Sequence, residues 1–333
     1  MTTRNVIDHN LGVVAIFWNT HRGAIQGKGI DRPKIDAMIG MYHDNGHGTI
    51  MRGNVAAGSE RAGFSGAGVE CDDTESFVGN EAHSCLSGFW FDAAALNILQ
   101  RECTAVSDFR AWKIYLYSVY GEVQKMGMVK VDGLRSADAK VGVLIIMTGY
   151  ASLAHTLQDQ KVVVSDALIV GHSSNGNCRR SVPSLWTCSF YMAWCNHVPP
   201  KHHGIYVSLF LSGPNMAPKI FPWHDGGSYP SLYGETYVEG ATFANFGQPC
   251  STGPRAGRWD AVVSGLPPSA GAADGWHPVI LQDIEMVDVE FESKVHLYPP
   301  NPAWINQADC IDMDCDGPKH GLIRDDDGTF LGT

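Results

Sequence analysis

Charge is scarce in this chain, and long apolar runs are missing. Only 18% of the 333 residues are charged, below the ~25% of an average soluble domain, and the 24 Lys and Arg residues form no run. Phosphate backbones are held by clustered cations that displace counterions, so nucleic acid is excluded as a partner. The net charge of -11 points the same way. The longest apolar stretches, Val13 to Trp18 and Val141 to Met147, fall far short of the ~20 residues that cross a bilayer. No membrane insertion by this segment is expected. The start, Met1-Thr2-Thr3-Arg4-Asn5-Val6, lacks the apolar stretch of roughly 7 to 15 residues that marks a secretory signal. Coiled coils and helical bundles need charged, glycine-poor helix faces; low charge with 37 glycines argues against them.

Motifs for nucleophilic or nucleotide chemistry are also missing. There is no G-x-S-x-G elbow, no P-loop and no G-x-G-x-x-G after a strand. What is present is 44% apolar residues, enough for a large core, and nine cysteines at 71, 85, 103, 178, 188, 195, 250, 310 and 315. That number favours an oxidising, extracellular setting, and its odd parity leaves at least one thiol outside intrachain pairs. No Asn-x-Ser/Thr acceptor accompanies them, so an extracellular surface would be free of N-linked glycans.

Short alternating segments separated by turns predict an all-β protein. Val287-Asp288-Val289-Glu290-Phe291 has apolar odd positions and acidic even ones, the period of a half-buried strand. Ile284-Glu285-Met286 alternates in the opposite phase, which places a corner or bulge between the two. A faint theme, apolar-any-Asp/Gly-apolar, appears at Val131-Asp132-Gly133-Leu134, Val164-Ser165-Asp166-Ala167, Val238-Glu239-Gly240-Ala241 and Leu281-Gln282-Asp283-Ile284. Its intervals of 33, 74 and 43 residues suit a stack of short-stranded coils with loops of varied length inserted between strands. A β-sandwich with chance similarity fits the pattern as well.

Two long irregular stretches interrupt it, at about 171–203 and 213–278, the second holding a strand near Tyr237 to Phe246. Trp186, Trp194, Trp223, Trp259 and Trp276 fall in this region. They are candidates for an aromatic contact surface for a glycan or protein partner. The competing reading has each Trp plugging its own loop onto the wall beneath, since a loop of this length needs a small core.

An ordered series of motifs carries a resemblance. Asn54-Val55-Ala56-Ala57-Gly58-Ser59-Glu60-Arg61-Ala62-Gly63, Asn80-Glu81-Ala82-His83-Ser84, Ala167-Leu168-Ile169-Val170-Gly171, Lys201-His202-His203-Gly204-Ile205, Ala308-Asp309-Cys310-Ile311-Asp312-Met313-Asp314-Cys315-Asp316 and Asp326-Asp327-Gly328-Thr329-Phe330-Leu331-Gly332 resemble the fibrocystin and fibrocystin-L family of cell-surface proteins. The resemblance implies a right-handed parallel β-helix spanning residues 1–333, with long inserted loops, as one piece of a longer ectodomain close to a domain named for its eight glycines. It also implies a coat or adhesion role at the surface of cells or cilia. Cys85 stands where the family has a small residue, and the 188/195 pair adds a cysteine. Among pairings, a loop closed between Cys310 and Cys315 is the candidate.

Three sets of residues are candidates for metal or catalytic chemistry. Asp312, Asp314 and Asp316, followed by Gly317, match the opening of a calcium loop, in which alternate carboxylates converge on a hard cation. The twelfth position is Ile323 instead of Glu, which excludes a complete EF-hand and leaves Asp325, Asp326 or Asp327 to finish a non-standard site. His43 and His47, and His197, His202 and His203 near Cys195, offer zinc ligands, with turn packing as the default and a strand start for His203. Gly46-His47-Gly48, Cys71-Asp72-Asp73 and Asn19-Thr20 are similar to fragments of a polygalacturonase site, but in the wrong order, and no acid and base pair can be assigned. The expected function is therefore a non-catalytic structural or recognition segment meeting a protein or glycan at the cell surface. The alternatives are a glycan-degrading β-helix enzyme and a self-assembling subunit of an extracellular filament.

Overall fold

The computed structural model describes residues 5–13, 40–44, 49–59, 62–91, 102–124, 127–149, 161–176, 178, 203–208, 231–232, 235–250, 258–265, 279–297 and 323–332. These residues are all-β, with parallel sheets, no α-helix and one 3-10 turn at Phe291–Ser293. The chain visits three sheet faces in rotation. The first face, called sheet I, is in two parts: Val6–Asp8, Ile50–Arg52 and Phe77–Val78 form a three-stranded sheet, and Cys103–Ser107, Met128–Asp132, Lys161–Ser165, Glu235–Glu239, Val279–Gln282 and Ile323–Asp325 form a six-stranded one. Sheet II stacks Leu11–Val13, Val55–Ala57, Glu81–His83, Arg110–Trp112, Arg135–Ala137, Leu168–Val170, Thr242–Ala244 and Glu285–Val287. Sheet III stacks Gly40–Asp44, Ala62–Gly66, Ser87–Phe91, Tyr117–Gln124, Val141–Gly149, His203–Ser208, Asp260–Gly265 and Val295–Leu297. Parallel neighbours need a long crossover, and here each crossover is one visit to the other two faces. This cyclic order fits a parallel β-helix. Ser231–Leu232, antiparallel to Thr148 and Gly149, stands off the rotation.

The repeated sequence theme is the corner between sheets I and II. Val131, Val164, Val238 and Leu281 are successive register partners. The third position of each motif has positive φ: 64° at Gly133, 50° at Asp166, 59° at Gly240 and 52° at Asp283. Gly and Asp are among the residues that tolerate the left-handed region, which explains their alternation. The fourth position, Leu134, Ala167, Ala241 or Ile284, is buried. In the earlier rungs this inward position is polar, and Asn10, Asn54 and Asn80 form a ladder: the N–H and side-chain amide of each donate to the Oδ1 of the next, at 2.9–3.2 Å.

Facing rows of sheets II and III exchange bulk along the column. Sheet II begins with Gly12, Ala56, Ala82 and Ala111 and ends with Ile169, Phe243 and Met286. Sheet III runs the other way, from Tyr42, Phe64 and Phe89 to Val143, Ile205 and Val262. Large against small keeps the interior at the density of a close-packed core. In the early rungs Phe64 meets Phe77 and Phe109 edge to face at 5.8 and 5.6 Å. Exposed apolar side chains gather on the terminal rungs, at Val6, Leu11 and Val13 and at Val287, Phe291 and Leu331.

Two expectations need correction. The alternation from Val287 to Phe291 is not one strand: the chain turns within it at Asp288, whose φ is 52°, and both Val287 and Phe291 are exposed. Alternation alone cannot locate a corner whose outer residue is charged. The stretch at 213–278 also contains the regular strand Asp260–Gly265, whose apolar Ala261 and Val262 are fully buried.

Candidate functional site

The corner that leaves sheet II for sheet III gathers most of the buried chemistry. Its left-handed residues are Gly58, Ser84, Lys113, Asp138, Asn245 and Asp288. Asp138 is buried, and its carboxylate accepts from the Ser173 N–H at 3.0 Å and the Ser173 hydroxyl at 2.5 Å. That carboxylate stitches one rung to the corner of the next. The neighbouring His172 lies with its ring centroid 5.4 Å from that of Trp259. A disulfide joins Cys178 to Cys250. His172 Nε2 lies 3.9 Å from Cys178 Sγ, and the potential ligand atoms of His172, Cys178 and Cys250 lie within 4.8 Å of one another. Metals bind thiolates; with the two sulfurs bonded to each other this group is a cross-link.

Beside it, His203 and Asp260 open consecutive strands of sheet III and are register partners. Their side chains are 1% and 0% exposed, with Nδ1 3.8 Å from Oδ2. The Arg258 guanidinium donates to Asp260 Oδ1 at 2.6 Å. The His203 N–H donates to the Lys140 carbonyl at 2.7 Å, and burial pushes the Lys140 ammonium pKa down. A buried carboxylate is tolerated only when paired, and Arg258 supplies the pairing cation. His203 thus occupies the strand start expected for it. An acid–base pair sealed at this level has no path to a dissolved substrate; its chemical capacity is to hold adjacent rungs together.

The sequence candidates fall as follows. Asp312, Asp314, Asp316, Cys310, Cys315, Trp186, Trp194, Trp223 and Trp276 lie outside the described residues, as do His47, Cys195, His197 and His202. Trp259 is fully buried, with its backbone N–H donating to the Gly247 carbonyl at 2.7 Å, so it plugs the wall and is not part of an exposed contact surface. Asp73 shapes a turn: its Oδ1 accepts from the Glu75 and Ser76 N–H groups at 3.1 and 2.9 Å. Asp325 accepts from the N–H groups of Phe330 and Leu331, and Asp327 from those of Asp283 and Thr329. Asp326 pairs with Arg324 at 3.4 Å.

Two features escaped sequence reading. The first is the pairing of Cys71 with Cys103 and of Cys178 with Cys250, since spacing alone does not reveal connectivity. The first bridge secures a side excursion in which Val69 and Ala105 exchange backbone hydrogen bonds of 2.9 and 2.7 Å. There a Cβ on Gly68, at φ 73°, would lie 2.6 Å from the Ala105 carbonyl oxygen, so no larger residue fits. The second is Asp138, which follows Arg135-Ser136-Ala137 with no motif around it. Cys85 is a buried free thiol, and burial raises its pKa.

The chain is similar to fibrocystin-L from Homo sapiens, with 28% identity over 297 residues, and to fibrocystin-L from Mus musculus, with 27% over 299; each match covers 87% of this chain. Fibrocystin from Canis lupus familiaris is 26% identical over 290 residues, 85% of this chain. The chain spans 7% of the length of these curated relatives. No family model matches it, and no solved structure does.

Proposed function

We propose that this chain is a non-catalytic display segment of a fibrocystin-like protein at the cell surface, wound as a right-handed parallel β-helix. The observation that carries this reading is the similarity to fibrocystin-L and fibrocystin along 85–87% of the chain. Right-handed winding is the hand taken by nearly all connections between parallel strands. A stack of coils buries a continuous apolar column and offers a stiff outer wall, and two disulfides bracing its side excursions suit an oxidising compartment. The buried His203–Asp260–Arg258 cluster and the Asp138–Ser173 stitch serve the rod by holding rungs in register.

Two measurements test the reading. An antibody raised against this segment stains intact, unpermeabilised cells that express the longer protein; staining only after permeabilisation overturns the surface assignment. Purified segment leaves a panel of polysaccharides unchanged, and new reducing ends or unsaturated products replace the display reading with the glycan-degrading one. Self-assembly into an extracellular filament is a second reading. It requires light scattering that grows with concentration, and a chain that stays monomeric at high concentration overturns it.

A further inference from the structure

The outward face of sheet II carries side chains that neither the interior nor the corner explains. Each three-residue strand buries its middle residue and turns the first and third outward. In the third-residue row, His83 is followed by Trp112, Ala137 and Val170. The imidazole of His83 stacks on the Trp112 indole with centroids 4.2 Å apart and planes 14° from parallel. The indole N–H donates to Glu81 Oε1 at 2.9 Å, which fixes the ring's orientation. On the next rung the register partner of Trp112 is Ala137, whose single methyl cannot cover an indole. The outward row therefore dips to a notch one rung wide at Ala137, between Trp112 and Val170, with the Lys113 side chain reaching over the indole.

Cations surround it in a protein of net charge -11. In the first-residue row, Arg110 and Arg135 are direct register partners, and both are exposed. Rungs are ~4.8 Å apart, and like charges placed directly opposite destabilise a sheet. Arg135 donates to the Asp166 carbonyl at 2.6 Å. Lys113 places its ammonium 5.5 Å from the Trp112 ring centroid. Among the described residues no hydrogen bond or ion pair engages the Arg110 guanidinium. Glu81, the register partner of Arg110 on the preceding rung, accepts the indole N–H through Oε1 and is the nearest acid in the row.

We infer that this face binds an acidic polysaccharide, with one uronate ring lying against Trp112 above Ala137 and its carboxylate held by Arg110 and Arg135. A pyranose presents a flat C–H face that suits the electron-rich face of an indole, and a guanidinium fork matches a carboxylate with two parallel hydrogen bonds. A sugar ring bearing a carboxylate satisfies both halves of the site, whereas a neutral sugar leaves the arginines opposed and a bare anion leaves the indole uncovered. The inference deepens the display reading, because it names what the wall would hold.

Calorimetric titration of the whole chain with hexagalacturonate tests it, alongside the fully methyl-esterified hexamer and a heparin hexasaccharide. Hexagalacturonate is expected to bind, the ester about tenfold more weakly or not at all, and Trp112→Ala and the double variant Arg110→Ala/Arg135→Ala to weaken binding about tenfold each. Ala137→Trp fills the notch from an outward position and is expected to abolish binding, so the test stands even where Trp112→Ala unfolds. The inference is overturned by an absence of heat with hexagalacturonate, by equal affinity for the ester, or by full affinity in Ala137→Trp. Heparin binding that ignores Trp112 and Ala137 while hexagalacturonate gives none reveals plain polyanion attraction and overturns it too. Chromatography of the recovered hexamer separates the two claims: cleavage overturns the display reading and leaves the binding face intact, whereas failure to bind leaves the display reading standing.

Discussion

The two corners that flank sheet II solve the same geometric problem with different chemistry. Entering the sheet, the chain repeats one device: a left-handed Gly or Asp followed by an inward residue, seen at Gly133-Leu134, Asp166-Ala167, Gly240-Ala241 and Asp283-Ile284. Leaving it, the chain has no common device. Asp138 reaches for Ser173, a disulfide links the turns of two rungs, and His203, Asp260 and Arg258 lie together where the next sheet begins. At Gly133, Asp166 and Gly240 the entry corner is closed by backbone hydrogen bonds to the following rung, and its inward residue ranges from Ala167 to Leu134; in the earlier rungs the Asn10–Asn54–Asn80 ladder adds side-chain bonds. Three of the long connections leave from the exit corner, between Val13 and Gly40, Val170 and His203, and Ala244 and Asp260, and long loops are anchored by specific contacts because their ordering entropy is large.

The sharpest way to break this contrast is Asp260→Ala. Removing the carboxylate takes away the acceptor of Arg258 and leaves a gap beside the buried His203; breaking a buried pair costs about 3–5 kcal/mol, and the part-exposed Arg258 places this loss at the low end. The melting temperature should fall steeply, and a fall no larger than that of an exposed substitution would mean the exit corner is not anchored there. Next comes Cys178→Ala with Cys250→Ala. The bridge spans 72 residues, and chain-entropy arguments for a loop of that length give a loss of up to about 4 kcal/mol. Denaturant unfolding of the double variant measures it, and an unchanged midpoint would assign the anchoring to the charged cluster alone.

At the entry corner the effects are smaller and have opposite signs of strain. Gly133→Val places a β-branched residue at φ 64°, where an L-residue pays roughly 1–2 kcal/mol or more. Asp166→Gly, at φ 50° in the equivalent turn, removes that strain while loosening the unfolded chain, and is expected to stay within about 0.5 kcal/mol. Thermal unfolding of the two variants side by side sharpens the comparison. Equal losses at both sites would mean that the side chain of Asp166, and not its backbone, is what matters.

The entry corner was legible in the sequence because one backbone requirement recurs there and filters residue types: left-handed φ selects Gly or Asp, and the interior selects an apolar neighbour. The exit corner was not, because its partners meet only after the coil is wound. Asp138 and Ser173 are 35 residues apart, and His203 and Asp260 belong to different rungs; no local pattern joins them. Trp259 illustrates the limit. Its place in a Gly/Pro-rich region leaves two readings open, a contact surface or a plug onto the wall, and the next residues, Asp260–Gly265, form a strand that carries it into the wall as a plug. The outward face of sheet II was missed because Glu81, Arg110 and Arg135 become neighbours only through register.

The smallest expected effect concerns how the entry corner ends. Along the column each left-handed N–H donates to a carbonyl of the following rung, as Gly240 does to Gln282 at 3.1 Å. At the last rung side chains take over: the Asp283 N–H donates to Asp327 Oδ2 at 2.7 Å, and the Ile284 N–H to Thr329 Oγ1 at 2.8 Å. The Thr329 hydroxyl, followed by the Asp283 and Thr329 N–H groups, holds the Asp327 carboxyl below its ordinary pKa of 3.8. A carboxylate depressed on folding stabilises the chain above the unfolded pKa, and that contribution disappears as the pH falls through the folded value. Asp327→Asn should therefore melt below the parent chain above about pH 5, and the gap should close as the solution is taken toward about pH 2. Every other carboxylate titrates in both proteins and cancels in the difference. A gap that stays constant across this range would show that Asp327 acts through shape alone, and that the entry corner, unlike the exit one, is held without help from charge.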